Sequence, residues 1–317
     1  MTNRILQLAL SLTLAVTTSF AGNPILPEFH ADPEIIFSDG KYYIYSTTDG
    51  VAGWGGYYFT CYSSADLQSW NYEGVIFDVK RDTQWAKGNA WAPAIMEKNG
   101  KYYFYYSGDA GNAKAIGVAV GNSPTGSFTD FGKPIINSLP RNQRGGQQID
   151  VDVFTDSDTG ESYIYWGNGY MAGAKLNADL TSLDTTTIVL LTPQGGTLET
   201  YAYREAPYVF KRNDIYYFLW SVDDTGSPNY HVAYGISHSP LGPIEVAEQP
   251  VILSQNPEKG MYGTAHCSVI EIAPDEWRIV YHRINKDYLN TNPGFHREVC
   301  ISELHFNADG TIRKVEF

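Results

Sequence analysis

Three carboxylates and an imidazole stand at related places in this 317-residue chain: Asp32, Asp150, Glu205 and His266. Each lies three or four residues before an apolar residue that opens a strand-like run, respectively Ile35, Val153, Val209 and Val269. Trp91 occupies the corresponding place before Ile95. An acid followed by proline, as in Asp32-Pro33, ordinarily caps a turn, so Asp32 alone reads equally as a turn residue, a metal ligand or a catalytic acid. Three carboxylates brought together would repel one another, and a repeat that assembles them needs a use for them. Two carboxyl groups flanking one bond, one protonated to donate to a leaving oxygen and one ionised to activate water, are what glycosidic cleavage requires. A third acid can hold the donor in place and raise its pKa. Trp91 offers either a sugar-stacking face or core packing.

The elements that would position these residues form a repeat. Five segments share an apolar pair, a polar turn and an aromatic run: IIFSDGKYYIYSTT, IMEKNGKYYFYYSG, VFTDSDTGESYIYWGN, VFKRNDIYYFLWSV and VIEIAPDEWRIVYHRI. They start at residues 35, 95, 153, 209 and 269, so successive starts lie 60, 58, 56 and 60 residues apart. Asp39-Gly40 and Asn99-Gly100 are hairpin turn pairs, because both positions of a type I′ turn need positive φ. A second strand–turn–strand pattern trails each hairpin, for example FTCYSSADLQSW and CISELHFNADGTI. Two hairpins per repeat make a four-stranded antiparallel sheet. Five such sheets bury their faces by radial stacking, which predicts an all-β, five-bladed β-propeller over residues 22–317. The inner strands of a propeller line its axis, so Asp32, Trp91, Asp150, Glu205 and His266 should converge at one end.

Composition sets further bounds. Tyr 24, Trp 7 and Phe 14 make the chain 14% aromatic, which suits pleated strands. A formal charge of −13 disfavours nucleic acid and anionic membranes as partners and leaves neutral glycans open. Residues 1–21 read as a secretory signal, with Arg4 before an apolar stretch from Ile5 to Val16 and Ser19-Phe20-Ala21 as a cleavage site. The protein is therefore expected to be exported, periplasmic or secreted. Cys61, Cys267 and Cys300 lack metal or redox spacing. Three buried free thiols are expected, with one disulfide plus a free thiol as the alternative.

HADPEII, WAPAIM, IDVDVF, REAPYVF and GTAHCSV, one from each repeat, resemble the motifs of glycoside hydrolase family 43. The resemblance covers nearly the whole mature chain. It implies a five-bladed propeller that acts on arabinan, xylan and related plant polysaccharides with inversion. It further implies that Asp32 is the general base, Glu205 the general acid and Asp150 the acid that orients the donor and tunes its pKa. His266 matches a histidine that often binds calcium or a similar ion in the central channel, directly or through water. This chain departs from the family where it carries Asp150-Val151-Asp152 instead of Asp-Pro, and where Cys267 follows the channel histidine. Strand alternation puts Asp150 and Asp152 on one face, and the spacing to Val153 selects Asp150.

Residues 281–304 carry two His-Arg pairs, from which His296 and Arg297 either bind sugar hydroxyls at the rim or, for Arg297, make structural ion pairs. Loops 49–58, 138–148 and 285–296 are long enough to close a pocket. The reading is an exported, exo-acting α-L-arabinofuranosidase working as a monomer. The alternatives are a β-xylosidase, an endo-acting xylanase or arabinanase, a galactan-directed enzyme, and, from other classes, a carbohydrate-binding or interaction propeller without catalysis.

Overall fold

The structure, a computed structural model, describes residues 22–317. The expected secretory signal lies outside the described residues. Five antiparallel sheets follow one another along the chain and form a five-bladed propeller. The first comprises His30–Ser38, Lys41–Thr48, Tyr58–Ser64 and Asn71–Asp78. The second comprises Trp91–Lys98, Lys101–Asp109, Lys114–Gly121 and Thr129–Asp130. The third is made of Asp152–Thr155, Ser162–Trp166, Ala172–Lys175 and Val189–Leu190, and the fourth of Glu205–Arg212, Ile215–Val222, His231–Ser237 and Glu245–Leu253. The fifth has three regular strands, Ala265–Ala273, Glu276–Ile284 and Arg297–Leu304. In each blade the first strand is innermost, and the five inner strands adjoin in a closed ring.

Local sequence explains the hairpins. Asp39 and Gly40 (φ 49° and 77°) and Asn99 and Gly100 (φ 55° and 72°) take the left-handed conformations that a tight two-residue turn needs. The tyrosine-rich composition has a definite use between blades. Tyr45, Tyr105 and Tyr165 occupy the same register on the second strands and are fully buried. Their hydroxyls donate to the carbonyls of Pro124, Leu180 and Pro240 in the next blade, at 2.6, 2.7 and 2.7 Å. An aromatic body fills the interblade core while the phenol tip satisfies a loop carbonyl, so one residue type both packs and bonds.

The fifth blade differs from the expected second hairpin. After Leu304 the chain makes a short turn and runs against the fourth blade, where the Val315 amide donates to the Ile252 carbonyl at 2.7 Å. The outer edge of Arg297–Leu304 is met instead by the beginning of the described chain. The Asn23 side chain exchanges two hydrogen bonds with the Ile301 backbone (2.9 and 3.0 Å), and the Ile25 amide donates to the Val299 carbonyl at 2.9 Å. Leu26 is buried with Ile35, Ile44, Val280 and Val299 at the seam between first and fifth blades. This segment ties the ring shut. Cys61, Cys267 and Cys300 are separate, buried free thiols. No helix among the described residues is long and apolar enough to cross a membrane.

Replacing Asn23 by Ala strips both partners from the Ile301 backbone and should lower unfolding stability by about 1–3 kcal/mol. Urea titration of the native and N23A proteins measures this, and an unchanged midpoint would show that the seam holds without Asn23.

Candidate active site

The heads of the inner strands share one backbone device. Asp32, Ala92, Asp150, Ala206 and His266 each stand three residues before the apolar anchor, and each has positive φ, between 43° and 58°. In the four blades where the strand pairing spans this point, the register slips there. The repeat is thus more regular than the acids alone suggested. Asp32, Asp150 and His266 are equivalent, whereas Trp91 and Glu205 precede the kink by one residue.

The kinked amides make a ring of contacts between blades. The Ala92, Asp150 and His266 amides donate to Thr47 Oγ1, Ser107 Oγ and Ser221 Oγ of the preceding blade, at 2.8, 3.1 and 3.1 Å. The Asp32 amide donates to His282 Nδ1 of the fifth blade at 3.1 Å. The third blade offers Gly167 at this place, where a Cβ would lie 2.1 Å from the Tyr170 carbonyl oxygen. With no hydroxyl available, the Ala206 amide is taken by the Asp150 carboxylate, Oδ2, at 3.2 Å. Asp150 is thereby bonded to the strand that carries Glu205. Asp152 lies one layer deeper, where its Oδ2 accepts the Val209 amide at 2.7 Å.

Asp32 is buried and gripped by cations. Its Oδ1 lies 3.0 Å from Arg297 Nη1 and 3.1 Å from His266 Nδ1, and its Oδ2 accepts the Thr47 hydroxyl at 2.7 Å. Burial alone would raise its pKa. Arg297, then His266 and His282, outweigh that and hold the carboxyl well below the usual range. Arg297 is 3% exposed and also pairs with Asp49 through Nε at 2.9 Å. Burial lowers the His282 pKa to about 4, so its neutral ring accepts the Asp32 amide.

Glu205 meets the opposite environment. Burial raises its pKa; Asp32 adds to the rise, and Arg204, Tyr230 and His266 oppose it. Burial, with Glu205 and Asp32 adding and His266 opposing, raises Asp150 to about 8. Asp150 and Glu205 therefore hold at least one proton at neutral pH, beside an Asp32 that is ionised. Glu205 Oε1 accepts the Tyr230 hydroxyl at 2.9 Å, and Oε2 accepts the Asn168 side-chain amide.

One cavity of about 260 Å³ has Asp32, Asp150, Glu205, His266, Arg297 and Trp91 in its lining. Sequence reasoning missed Asn168, Tyr230, His282 and Trp54. Asn168, between two glycines, has the composition of any turn residue and gave no signal, and neither did a single aromatic among 24 tyrosines for Tyr230. His296 is not in the lining. It stacks on Tyr288 (centroids 3.8 Å apart, 11°) and meets Phe29 edge-on, so its ring braces the 285–296 loop. As for calcium, no group of three or more His, Cys, Asp or Glu converges as a cation cage among the described residues. His266 Nδ1 is committed to Asp32, and a thiol stands next to it at Cys267. This donor set does not by itself supply the six or more oxygens that a hard cation needs.

Comparison with known proteins gives one consistent result. The sequence profile described as Glycosyl hydrolases family 43 matches residues 21–312. A β-D-galactofuranosidase of Aspergillus niger is 33% identical over 95% of this chain and 87% of its own. Among solved structures, a thermostable family-43 glycoside hydrolase superposes with a TM-score of 0.81 at 28% identity, covering 93% of this chain and 95% of that one. An α-L-arabinofuranosidase from Clostridium thermocellum gives 0.72 at 31%, covering 90% and 93%.

Removing Arg297 leaves Asp32 and Asp49 as uncompensated buried charges. R297M should cost about 3–5 kcal/mol of stability at neutral pH. Because Asp32 titrates below its unfolded value, its pairing stabilises the native protein at neutral pH and is lost as pH falls through the folded pKa. In R297M burial acts on Asp32 and Asp49 without Arg297 to oppose it and raises both, so the loss relative to the native protein should shrink as falling pH protonates them in the variant while Arg297 still holds Asp32 ionised in the native protein. Denaturant titrations from neutral pH downward measure this, and a pH-independent difference would contradict the ion-pair assignment.

Proposed function

The chain belongs to family 43 of the glycosyl hydrolases, and from that premise we propose that it is an exported, exo-acting, inverting α-L-arabinofuranosidase. Glycoside hydrolysis of plant polysaccharide is the activity of the family. The exo-action, the inversion, the furanose and the residue roles are our reading. Asp32, ionised and held by Arg297 and His266, serves as the base that takes a proton from water. Its Oδ2 carries only the Thr47 hydroxyl and keeps a lone-pair site free. Glu205, kept protonated by burial, donates to the departing glycosidic oxygen. Asp150, tied to the Ala206 amide, orients Glu205 and keeps its pKa high.

The observation that carries exo-action is the way Trp54 walls the cavity. Trp54 has a φ of 54°, which a bulky side chain rarely adopts, and the surrounding bonds hold it there. Its indole Nε1 donates to the Gly294 carbonyl at 2.6 Å, and its own carbonyl accepts from Trp91 Nε1 at 2.8 Å and Asn89 Nδ2 at 2.9 Å. Gly294 must be glycine, since a Cβ there would stand 2.8 Å from the indole. The 49–58 and 285–296 loops thus meet across one side of the site, and the 138–148 loop contributes Gln147. A cavity near 260 Å³, below the roughly 300–1,000 Å³ of most small-molecule sites, suits one terminal sugar better than a chain running through.

The furanose reading draws on the relatives. α-L-Arabinofuranosyl and β-D-galactofuranosyl rings present the same ring hydroxyls and differ by one exocyclic hydroxymethyl. A relative named for each is therefore consistent with one furanose-shaped pocket. β-Xylosidase action is the second reading, favoured by relatives named xylosidase/arabinosidase. Calcium enters no step of this reading; one related xylosidase/arabinofuranosidase is described in a calcium-free form with xylotriose. Export follows from the leader-like residues 1–21, in keeping with relatives named extracellular.

Three nitrophenyl glycosides separate these readings: α-L-arabinofuranoside should be hydrolysed fastest, ahead of β-D-galactofuranoside and β-D-xylopyranoside. Linear arabinan should yield arabinose from the first minutes, whereas oligomers as first products would refute exo-action. E205Q should lose about 10²–10⁴-fold in turnover of poor leaving groups while retaining sugar affinity. Activity surviving in E205Q would remove Glu205 from the role of acid.

A further inference from the structure

Glu205 must carry a proton and lose it in the same step, yet both of its carboxyl oxygens face donors. The Tyr230 hydroxyl is one. Burial pushes the Tyr230 pKa far up, so this hydroxyl keeps its proton and remains a donor to Glu205 throughout. The other is the Asn168 side-chain amide, which turns its Nδ2 to Glu205 Oε2. Each carboxyl oxygen has two lone-pair positions. One donor on each oxygen therefore still leaves room for the catalytic proton.

Asn168 does not reach Glu205 by chance of rotamer. It sits between Gly167 (φ 127°) and Gly169 (φ 77°), in a turn that only glycines tolerate. The turn is bonded to both of the strands that carry the acids. The Gly167 amide donates to the Ile149 carbonyl at 2.9 Å, one residue before Asp150. The Gly169 amide donates to the Arg204 carbonyl at 2.7 Å, one residue before Glu205. The Asn168 backbone also exchanges two 3.0 Å bonds with Gln147, and the Tyr203 hydroxyl donates to the Gly167 carbonyl at 2.6 Å. The side chain of Asn168 is thus presented to Glu205 from a backbone with little freedom, and it lines the cavity itself.

We propose that Asn168 is a positioning residue for proton transfer, which aims the Glu205 carboxyl and stabilises the carboxylate that forms as the proton leaves. The inference rests on Glu205 being the acid. In the step concerned the glycosidic C–O bond breaks with its electron pair going to the leaving oxygen, and that oxygen takes the Glu205 proton. Water adds to the anomeric carbon and gives its proton to Asp32. Negative charge grows on Glu205 as this happens, and hydrogen bonds from Asn168 and Tyr230 strengthen with it. Asn168 therefore opposes the rise in acid pKa that burial causes, and limits how far it goes.

This opposition gives a test with a sign. The acid form is needed for activity, so activity falls as pH rises through the Glu205 pKa. Removing a donor to the carboxylate raises that pKa and moves the alkaline limb of kcat/KM upward. Loosening the site and admitting water lowers it. The limb should move up by about one pH unit in N168A, the worth of one charge-assisted hydrogen bond. In N168D, which keeps the shape and replaces the donor by an acceptor, it should move at least as far. N168S, which restores a donor, should bring it back toward the native position. Turnover of an alkyl glycoside should fall about tenfold more than that of the nitrophenyl glycoside, because only the alkyl leaving group needs full protonation. An alkaline limb that stays or falls in both N168A and N168D, or equal losses on the two leaving groups, overturns the proposal while leaving Glu205 as the acid. If instead the limb persists unchanged in E205Q, the acid assignment fails and the role of Asn168 fails with it.

Discussion

The site depends on a left-handed backbone kink at the head of every inner strand. A non-glycine residue in that conformation costs roughly 1 kcal/mol or more, and the protein repeats it at Asp32, Ala92, Asp150, Ala206 and His266. Each kink frees an amide from its own sheet and turns it toward the preceding blade, where a side chain accepts it. A net gain of about 0.5–1.5 kcal/mol per bond is of the same order as the strain. The kink also turns the side chains at and just before it to the mouth of the channel. Strain, ring closure and the placing of Asp32, Asp150, Glu205 and His266 are therefore one device.

From that device follows an electrostatic division of labour. The first blade's acid stands where the fifth blade can deliver Arg297, His266 and His282, and it stays ionised despite its burial. The third and fourth blades bring Asp150 and Glu205 together, where burial outweighs His266 and, for Glu205, Arg204 at the exposed mouth, and both are pushed toward the protonated form. Two carboxyl groups of one chemistry thus take opposite protonation states a few residues from equivalent positions, because of what the neighbouring blade offers. Gly167 matters most in this respect. Where the other blades offer Thr47, Ser107, Ser221 and His282 as amide acceptors, the third has none on its second strand, and Asp150, an acid lining the candidate site, takes over that structural task.

Much of this was legible in the sequence because it repeats. The five-fold spacing, the Asp-Gly and Asn-Gly turns and the aromatic runs defined the blades, and the residues three and four before each anchor pointed to the axis. The resemblance supplied the roles. Less legible was what depends on contacts between distant segments. Closure of the fifth blade by Asn23 and Ile25, rather than by the chain after Leu304, leaves no periodic trace. His296 looked like a rim residue from its place beside Arg297, yet it ends the loop before the strand and stacks on Tyr288, and only Arg297, where the strand begins, meets Asp32. Tyr230 and Asn168 sit in turns with ordinary composition, and only the folded chain shows that both end on Glu205. The one-residue difference in spacing between Asp32 and Glu205 was visible in the sequence, but its cause was not: the kink that sets the register carries alanine in the second and fourth blades.

The measurement that bears most directly on the account is the anomeric configuration of the sugar at the moment of release, followed by proton NMR during rapid hydrolysis. If Asp32 activates water and Glu205 protonates the leaving oxygen, the first anomer seen must be opposite to that of the substrate, with the other appearing only by later mutarotation. A first product that retains the substrate's configuration would mean a carboxylate bonded covalently to the sugar, and would contradict the roles given to Asp32 and Glu205.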